Sequence, residues 1–453
     1  MVHNHAVDPR VMVLHPEFRI LTEKERQEVA PFLMENCRTD RIKSFIQRRF
    51  GKRAISMDVC NLRRKYAAGG LPQNNWNELA DYFRANGRVY VVGNLPNMTV
   101  FCFSTNGQIE LLNRYPEVVG IDVTYRTTRE GWYLCELLVV DGLGHGRAVL
   151  FAFMSSESSA QYVHVLRALR AMLNEGRVPC TFVVDKCTAC MEAIREVFPM
   201  AETVICKFHV LRAVRRKAKG DDGICMWFRS LLDADSEEEI NESLTALQRF
   251  SPAFYIYLER CWLSIKEKWC TYYMRALTYG CTTNNRVESA HRWLKQYFEH
   301  RYPLFKAVKL LWLYAQNIVS NHNDAVALSL LKYKDYGVSQ QEQDLLNRMT
   351  TFAADVVYRA MNDSAVEKAG QISGSTVCTV NSVTGRVSTV DILQWTCDCH
   401  LFFAYRLPCP HIIAAAHSIS YRVDVLPLRM RWLRSNSTHA HILSDNTEIF
   451  PIR

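Results

Sequence analysis

The chain has 453 residues, too many for one core, and its length points to two to four domains. Apolar residues make up 48% and charged residues 22%, which excludes a disordered polar chain, and no apolar run approaches the length of a membrane span. The net charge of +9 suits a nucleic-acid partner without requiring one. The opening MVHNHAVDPR lacks the basic-then-apolar pattern of a signal peptide. Sixteen cysteines are therefore expected in a reducing, intracellular setting, where metal binding is commoner than disulfides.

The first hundred residues read as helical and basic. KERQEVAPFLMEN, TDRIKSFIQRRFGKR and SMDVCNLRRKYAA place apolar residues at helical spacing, with Ser56 as the expected N-cap of the third segment and Asp58 in its first turn. A helix-turn-helix would carry Asn61, Arg63, Arg64 and Lys65 to DNA on that segment. A small helical bundle with a solvated basic face fits the same pattern.

From about residue 100 the pattern changes. FCFSTN, EVVGIDVTYRTT, WYLCELLVVDGLG and RAVLFAFMSS are β-rich runs separated by glycine turns, and they predict a three-stranded antiparallel meander. The helix SSAQYVHVLRALRAMLNE, the strand CTFVVD, the helix TACMEAIREVF and the strand AETVICKFHV follow. That order is an α/β arrangement of the ribonuclease H-like kind. Residues 210 to 280 then look wholly helical and aromatic, an insertion for which Trp227, Trp262 and Trp269 would form core. Trp293, just beyond, is also read as a core residue of the insertion. Further helices run to about residue 370, SGS near residue 374 is the expected linker, and STVCTVNSVTGRVSTVDILQW predicts a hairpin.

Two carboxylates occupy unusual positions. Asp122 is isolated among Val and Ile in a strand, where an unpartnered carboxylate is costly. Asp185 ends the later strand, where open α/β sheets place functional groups. If the two strands are neighbours, the acids converge, and divalent cations relieve their repulsion. Glu288, on the helix after the insertion, would supply a third ligand.

The stretches GIDVTY through FMSSES, FVVDKCTACMEAIREVFP, VICKFHVLRAVRR and TTNNRVESAHRWLK resemble the transposase domain of Mutator-like elements, over roughly residues 105 to 310. The resemblance implies a DDE-type core in which Asp122, Asp185 and Glu288 hold two Mg²⁺ or Mn²⁺ ions. It also matches Cys206 and His209 to a Cys-x-x-His signature of such enzymes, and Glu157 to a position often acidic. His291 departs from the family, which commonly has a small polar residue there. His3 and His5 look like the tail of a zinc finger whose cysteines are absent, which suggests truncation or loss.

Near the other end, Cys397-x-Cys399 and Cys409-x-His411 make four ligands for a closed tetrahedral zinc site, with His400 and His417 left as spares. HIIAAAH reads as a helix start with His411 in its first turn. With the preceding hairpin this resembles the SWIM zinc finger over about residues 373 to 420, which implies structural zinc and a surface for DNA or protein. A basic helix carrying Arg212, Arg215 and Arg216, with Lys217 and Lys219, would track phosphates.

The expected layout is a helical, helix-turn-helix-like region over 1–100, a ribonuclease H-like transposase domain over 101–320 with its insertion near 210–280, a helical connector over 321–372 and a SWIM finger over 373–435. The expected function is that of a Mutator-like transposase or a close descendant: nuclear, bound to DNA, cleaving and joining strands through the DDE triad. Partner proteins at the finger and homodimerisation stay open, and no membrane is involved. The alternative is a domesticated, non-catalytic nuclear protein that binds DNA or proteins through the same fold.

Overall fold

The computed structural model describes residues 16–34, 37–66, 75–124, 127–234, 236–282, 302–331, 333–363, 372–374, 376–380 and 387–434. The chain divides into two units, one of residues 1–85 with 305–314 and one of residues 86–304 with 315–453.

In the first unit, helices α1 (Glu23–Met34), α2 (Thr39–Phe50) and α3 (Ser56–Tyr66) pack around Val29, Leu33, Ile42, Ile46 and Val59. Gly51 ends α2 in the left-handed conformation that favours glycine, and its N–H bonds the Gln47 carbonyl. Ser56 is the first helical residue of α3, not its cap. Asp58 does the capping: its carboxylate accepts from the Ile55 N–H at 2.9 Å and from Arg19 at 2.7 Å. Helix α4 (Trp76–Asn86) stacks Phe83 on Trp312 with ring centroids 3.8 Å apart.

The second unit is built on a seven-stranded sheet. A hairpin of β1 (Gly87–Asn94) and β2 (Asn97–Thr105) comes first, followed by α5 (Asn106–Arg114). The helical part of the N-terminal region thus ends at Asn86, and the β-branched run VYVV takes the strand instead. Then come the strands β3 (Val118–Thr124), β4 (Tyr133–Val140) and β5 (Gly146–Met154), the predicted antiparallel meander. Helix α6 (Ser159–Arg170), β6 (Thr181–Val184), α7 (Thr188–Val197) and β7 (Glu202–Ile205) complete the order β1-β2-β5-β4-β3-β6-β7. β6 runs parallel to β3, and β7 parallel to β6. Almost every side chain of β4 is buried, which explains its unbroken apolar sequence at the sheet centre. Side-chain caps start two of the helices beside this sheet. Thr105 and Gln108 form a capping box on α5, and Ser158 accepts from the Gln161 N–H on α6.

Helix α8 (Lys207–Lys217) leads into the insertion of α9 (Asp222–Asp233), α10 (Glu237–Phe250) and α11 (Pro252–Cys261). Its core holds Phe228, Trp262 and Trp269 fully buried, with Trp227 packed at the margin. Trp293 lies outside the described residues. The chain returns through α12 (Leu304–Leu331), α13 (Gln340–Arg348) and α14 (Thr351–Asp363). A small sheet follows: β8 (Ile372–Ser373), β9 (Thr376–Val380), β10 (Val387–Asp391) and β11 (Thr396–Cys397). Here β9 and β10 pair antiparallel, as the hairpin sequence predicts, and α15 (His400–Tyr405) and α16 (Pro410–Ser418) pack behind them. Among the described residues no helix is long and apolar enough to cross a membrane.

Candidate metal centres

Sheet register brings the two aspartates together. Val118, Val119 and Gly120 of β3 face Thr181, Phe182 and Val183 of β6, and the same parallel register carried two residues further sets Asp122 beside Asp185. Asp122 is buried, 8% exposed, while the Asp185 side chain is 40% exposed at the strand end. Asp185 does not cap α7. That position belongs to Cys187, whose N–H bonds the Asp185 carbonyl at 2.7 Å. Lys186, between them, turns away, with Nζ 2.6 Å from the Cys261 carbonyl and 4.0 Å above the Trp262 ring.

A third ligand comes from the next strand. Cys206 N donates to the Val184 carbonyl at 2.8 Å, so α8 begins level with Asp185, and Cys206 is its N-cap. His209 lies three residues on, and its Nδ1 pairs with Asp185 Oδ1. Ligand atoms of Asp122, Asp185 and His209 all lie within 4.8 Å of one another. Burial pushes the His209 imidazole down, but hydrogen bonds to Asp185 and Cys206 outweigh it and raise its pKa to about 10. Within the Cys-x-x-His pair, Cys206 is buried and hydrogen-bonds the His209 ring, and His209 faces the acids. Two carboxylates and an imidazole suit a divalent ion of the manganese or magnesium kind.

Glu288 falls outside the described residues. Glu157 is exposed, and it accepts from the Tyr162 hydroxyl at 3.1 Å instead of joining the cluster. One residue escaped the sequence reading. Glu136 is fully buried and is the cross-strand partner of Asp122, so a second carboxylate shares that face of the sheet. The signal was present, since Glu136 is as isolated in its apolar strand as Asp122 is. His209 was recognisable only as half of a motif, because its partner is 24 residues back in the chain.

The second cluster is Cys397, Cys399, Cys409 and His411, whose ligand atoms also lie within 4.8 Å of one another. Cys397 ends β11, Cys399 is the N-cap of α15, Cys409 is the N-cap of α16 and Pro410 opens that helix, with His411 in its first turn. Cys397 Sγ and His411 Nδ1 are 3.8 Å apart, close to the edge of about 3.6 Å expected between a sulfur at about 2.3 Å and a nitrogen at about 2.0–2.1 Å from a tetrahedral zinc. Hydrogen bonds from Cys397 and Cys409 hold the Cys399 thiol far below its usual range, the same bond raises Cys397, and burial raises Cys409. The site favours a thiolate, the form zinc binds. His417 stands apart, 3.5 Å from Glu342.

The basic residues differ in their availability. Arg63 is tied into the bundle, donating to Thr39 Oγ1 at 2.9 Å and to the Cys37 carbonyl, so it secures α3 instead of facing outward. The side chains of Arg64 and Lys65 are outside the described residues. Arg212, Arg215 and Arg216 are all exposed on α8. Arg212 and Arg216 follow His209 by three and seven residues and share its face, while Arg215 points elsewhere.

Fold and sites together define a ribonuclease H-like α/β domain joined to a C-terminal SWIM zinc finger. Residues 82–204 match the RNaseH-like domain of zinc finger SWIM domain-containing proteins 1 and 3, and residues 379–420 match the SWIM zinc finger, so zinc is implied at the four-ligand cluster. Among curated proteins, the chain is 28% identical over 181 residues to Uncharacterized protein ZSWIM9 of Homo sapiens, covering 38% of this chain and 28% of that one. It is 25% identical over 158 residues to Protein FAR1-RELATED SEQUENCE 5 of Arabidopsis thaliana, 34% of this chain and 18% of that one. It is also 22% identical over 236 residues to PKS-NRPS hybrid synthetase cheA of Chaetomium globosum, 44% of this chain but 5% of the synthetase. The chain thus spans under a third of the length of each of these relatives. A solved structure, the Drosophila P element transposase strand transfer complex, aligns over 70% of this chain and 90% of that one at 11% identity, with a TM-score of 0.23.

Proposed function

We propose that the chain is a DDE-type DNA transposase, or a close descendant, that cleaves DNA phosphodiesters at Asp122 and Asp185. The observation that carries this reading is the convergence of Asp122, Asp185 and His209 at the ends of adjacent parallel strands. Mg²⁺ or Mn²⁺ bound there would supply a nucleophile at neutral pH and stabilise the leaving oxygen at phosphorus. Asp122, buried on a central strand, is held rigidly by its neighbours β4 and β6. Asp185, more exposed, faces the side from which a phosphodiester would approach. His209 fixes the orientation of Asp185 through Nδ1. Glu288 is the third acid of this reading. Arg212 and Arg216, on the His209 face of α8, lead phosphates toward the acids. Nuclear residence follows from a DNA substrate.

Calorimetric titration of the zinc-loaded chain with Mn²⁺ tests the centre. The reading expects binding that Asp122→Asn and Asp185→Asn each abolish, and unchanged binding in both variants would refute it.

One observation favours a second reading. His209 already partners Asp185 directly, so the constellation is satisfied electrostatically by the protein's own groups. A domesticated protein that binds DNA without cutting it would need no more than that. It predicts intact DNA binding with no divalent-ion uptake at Asp185.

A further inference from the structure

The zinc cluster is not a separate bead on the chain. Cys397, Cys399 and Cys409 lie in one hydrophobic cluster with Val183 of β6, Val204 of β7 and Cys206. From the zinc ligands a path of short chain segments joined by backbone hydrogen bonds leads to His209. Cys399 caps α15, and at the other end of that short helix the Ala404 carbonyl accepts from the Thr278 and Tyr279 N–H groups at 3.1 and 2.7 Å. The chain then passes Gly280, which has φ +70°, and where an added Cβ would sit 2.3 Å from the Tyr405 hydroxyl. Two residues on, the Thr282 carbonyl accepts from the Lys207 N–H at 2.7 Å. Lys207 is the first residue of α8, and His209 follows within the same turn.

We infer that the zinc module is a positioning element for the candidate catalytic centre: through α15 and residues 278–282 it fixes the start of α8 and therefore His209. Three thiolates and an imidazole held by zinc make α15 rigid at its N-cap, and a six-residue helix has little stability of its own. Without that anchor the Ala404 carbonyl no longer holds 278–279, and the Lys207 N–H loses the Thr282 carbonyl.

The inference rests on zinc occupying the SWIM cluster. Its primary readout does not depend on DNA cleavage, so failure of the nuclease reading would leave it standing. Hydrogen exchange followed by mass spectrometry on the full chain, with and without a zinc chelator, tests it. We expect exchange of the 276–282 and 207–210 amides to rise roughly tenfold on chelation, together with 396–411, while α10 stays protected. A rise confined to 387–420 would overturn the inference, and so would loss of protection throughout, α10 included. Gly280→Ala supplies a variant with every zinc ligand intact. It should retain bound zinc, yet show the same faster exchange at Lys207. Wild-type protection at Lys207 in that variant would also overturn the inference.

Discussion

The Nδ1 of His322, on α12, lies 3.1 Å from the Oδ2 of Asp141, just after β4 and 181 residues away in sequence. Arg147 Nε reaches the same oxygen at 2.8 Å, and the Leu143 and His145 N–H groups donate to Oδ1 at 3.0 and 2.7 Å. Asp141 is fully buried and His322 nearly so. A carboxylate with this many donors ties the returning helix to the sheet that carries Asp122.

Burial alone would raise the Asp141 pKa, but hydrogen bonds from His322 and Arg147 outweigh it and hold the carboxyl well below the usual carboxylate range. The groups facing it are Arg147, His145 and His322, with Tyr115 also near. Because the folded pKa is depressed, the stability it contributes is fully present above the unfolded value of about 3.9 and is lost as pH falls through the folded value. Asp141→Asn should therefore destabilise the second unit by about 3–5 kcal/mol at neutral pH, since it leaves the largely buried Arg147 guanidinium without its carboxylate. Urea unfolding at pH 7 and pH 3.5 checks this, with a smaller difference expected at the lower pH.

His209→Ala should lower Mn²⁺ affinity by about 10- to 100-fold, the usual effect of removing a group that orders a ligand. His209→Gln should recover part of it, because an amide still reaches Asp185. Equal affinity in all three proteins, measured by calorimetry, would show that His209 has no part in the centre.

If Arg212 and Arg216 lead phosphates to the site, replacing either with Ala should weaken DNA binding whatever the sequence. Each should reduce the slope of log affinity against log salt by about 1. Arg63→Ala should act differently. It removes hydrogen bonds to Thr39 and the Cys37 carbonyl, so thermal unfolding of the first unit should register the change before any DNA-binding curve does.

Much of the second unit was legible because its signals are local. The apolar runs of β3 to β5, the helical period of α6 and the Cys-x-Cys and Cys-x-His pairs each state their structure within a dozen residues. The convergence of Asp122 and Asp185 was legible only on the condition of a ribonuclease H-like sheet, in which their two strands are neighbours. What stayed hidden depends on register and distance. Glu136 becomes a neighbour of Asp122 only once β3 and β4 are aligned, and Asp141 meets His322 only when α12 returns. Ser56 looked like a cap because serine favours that position, yet Asp58, with Arg19 beside it, takes the role. Strand β1 was absorbed into a helical region because its run is short and follows directly on α4.

The most direct measurement of the central claim is nicking of supercoiled plasmid by the full, zinc-loaded chain in Mn²⁺, beside Asp185→Asn, which keeps the side-chain size and removes the charge that would hold the ion. The account predicts Mn²⁺-dependent conversion to open circles that the single substitution abolishes while DNA binding and zinc content stay unchanged. Nicking that survives Asp185→Asn, or no nicking by a chain that binds the plasmid normally, would contradict it.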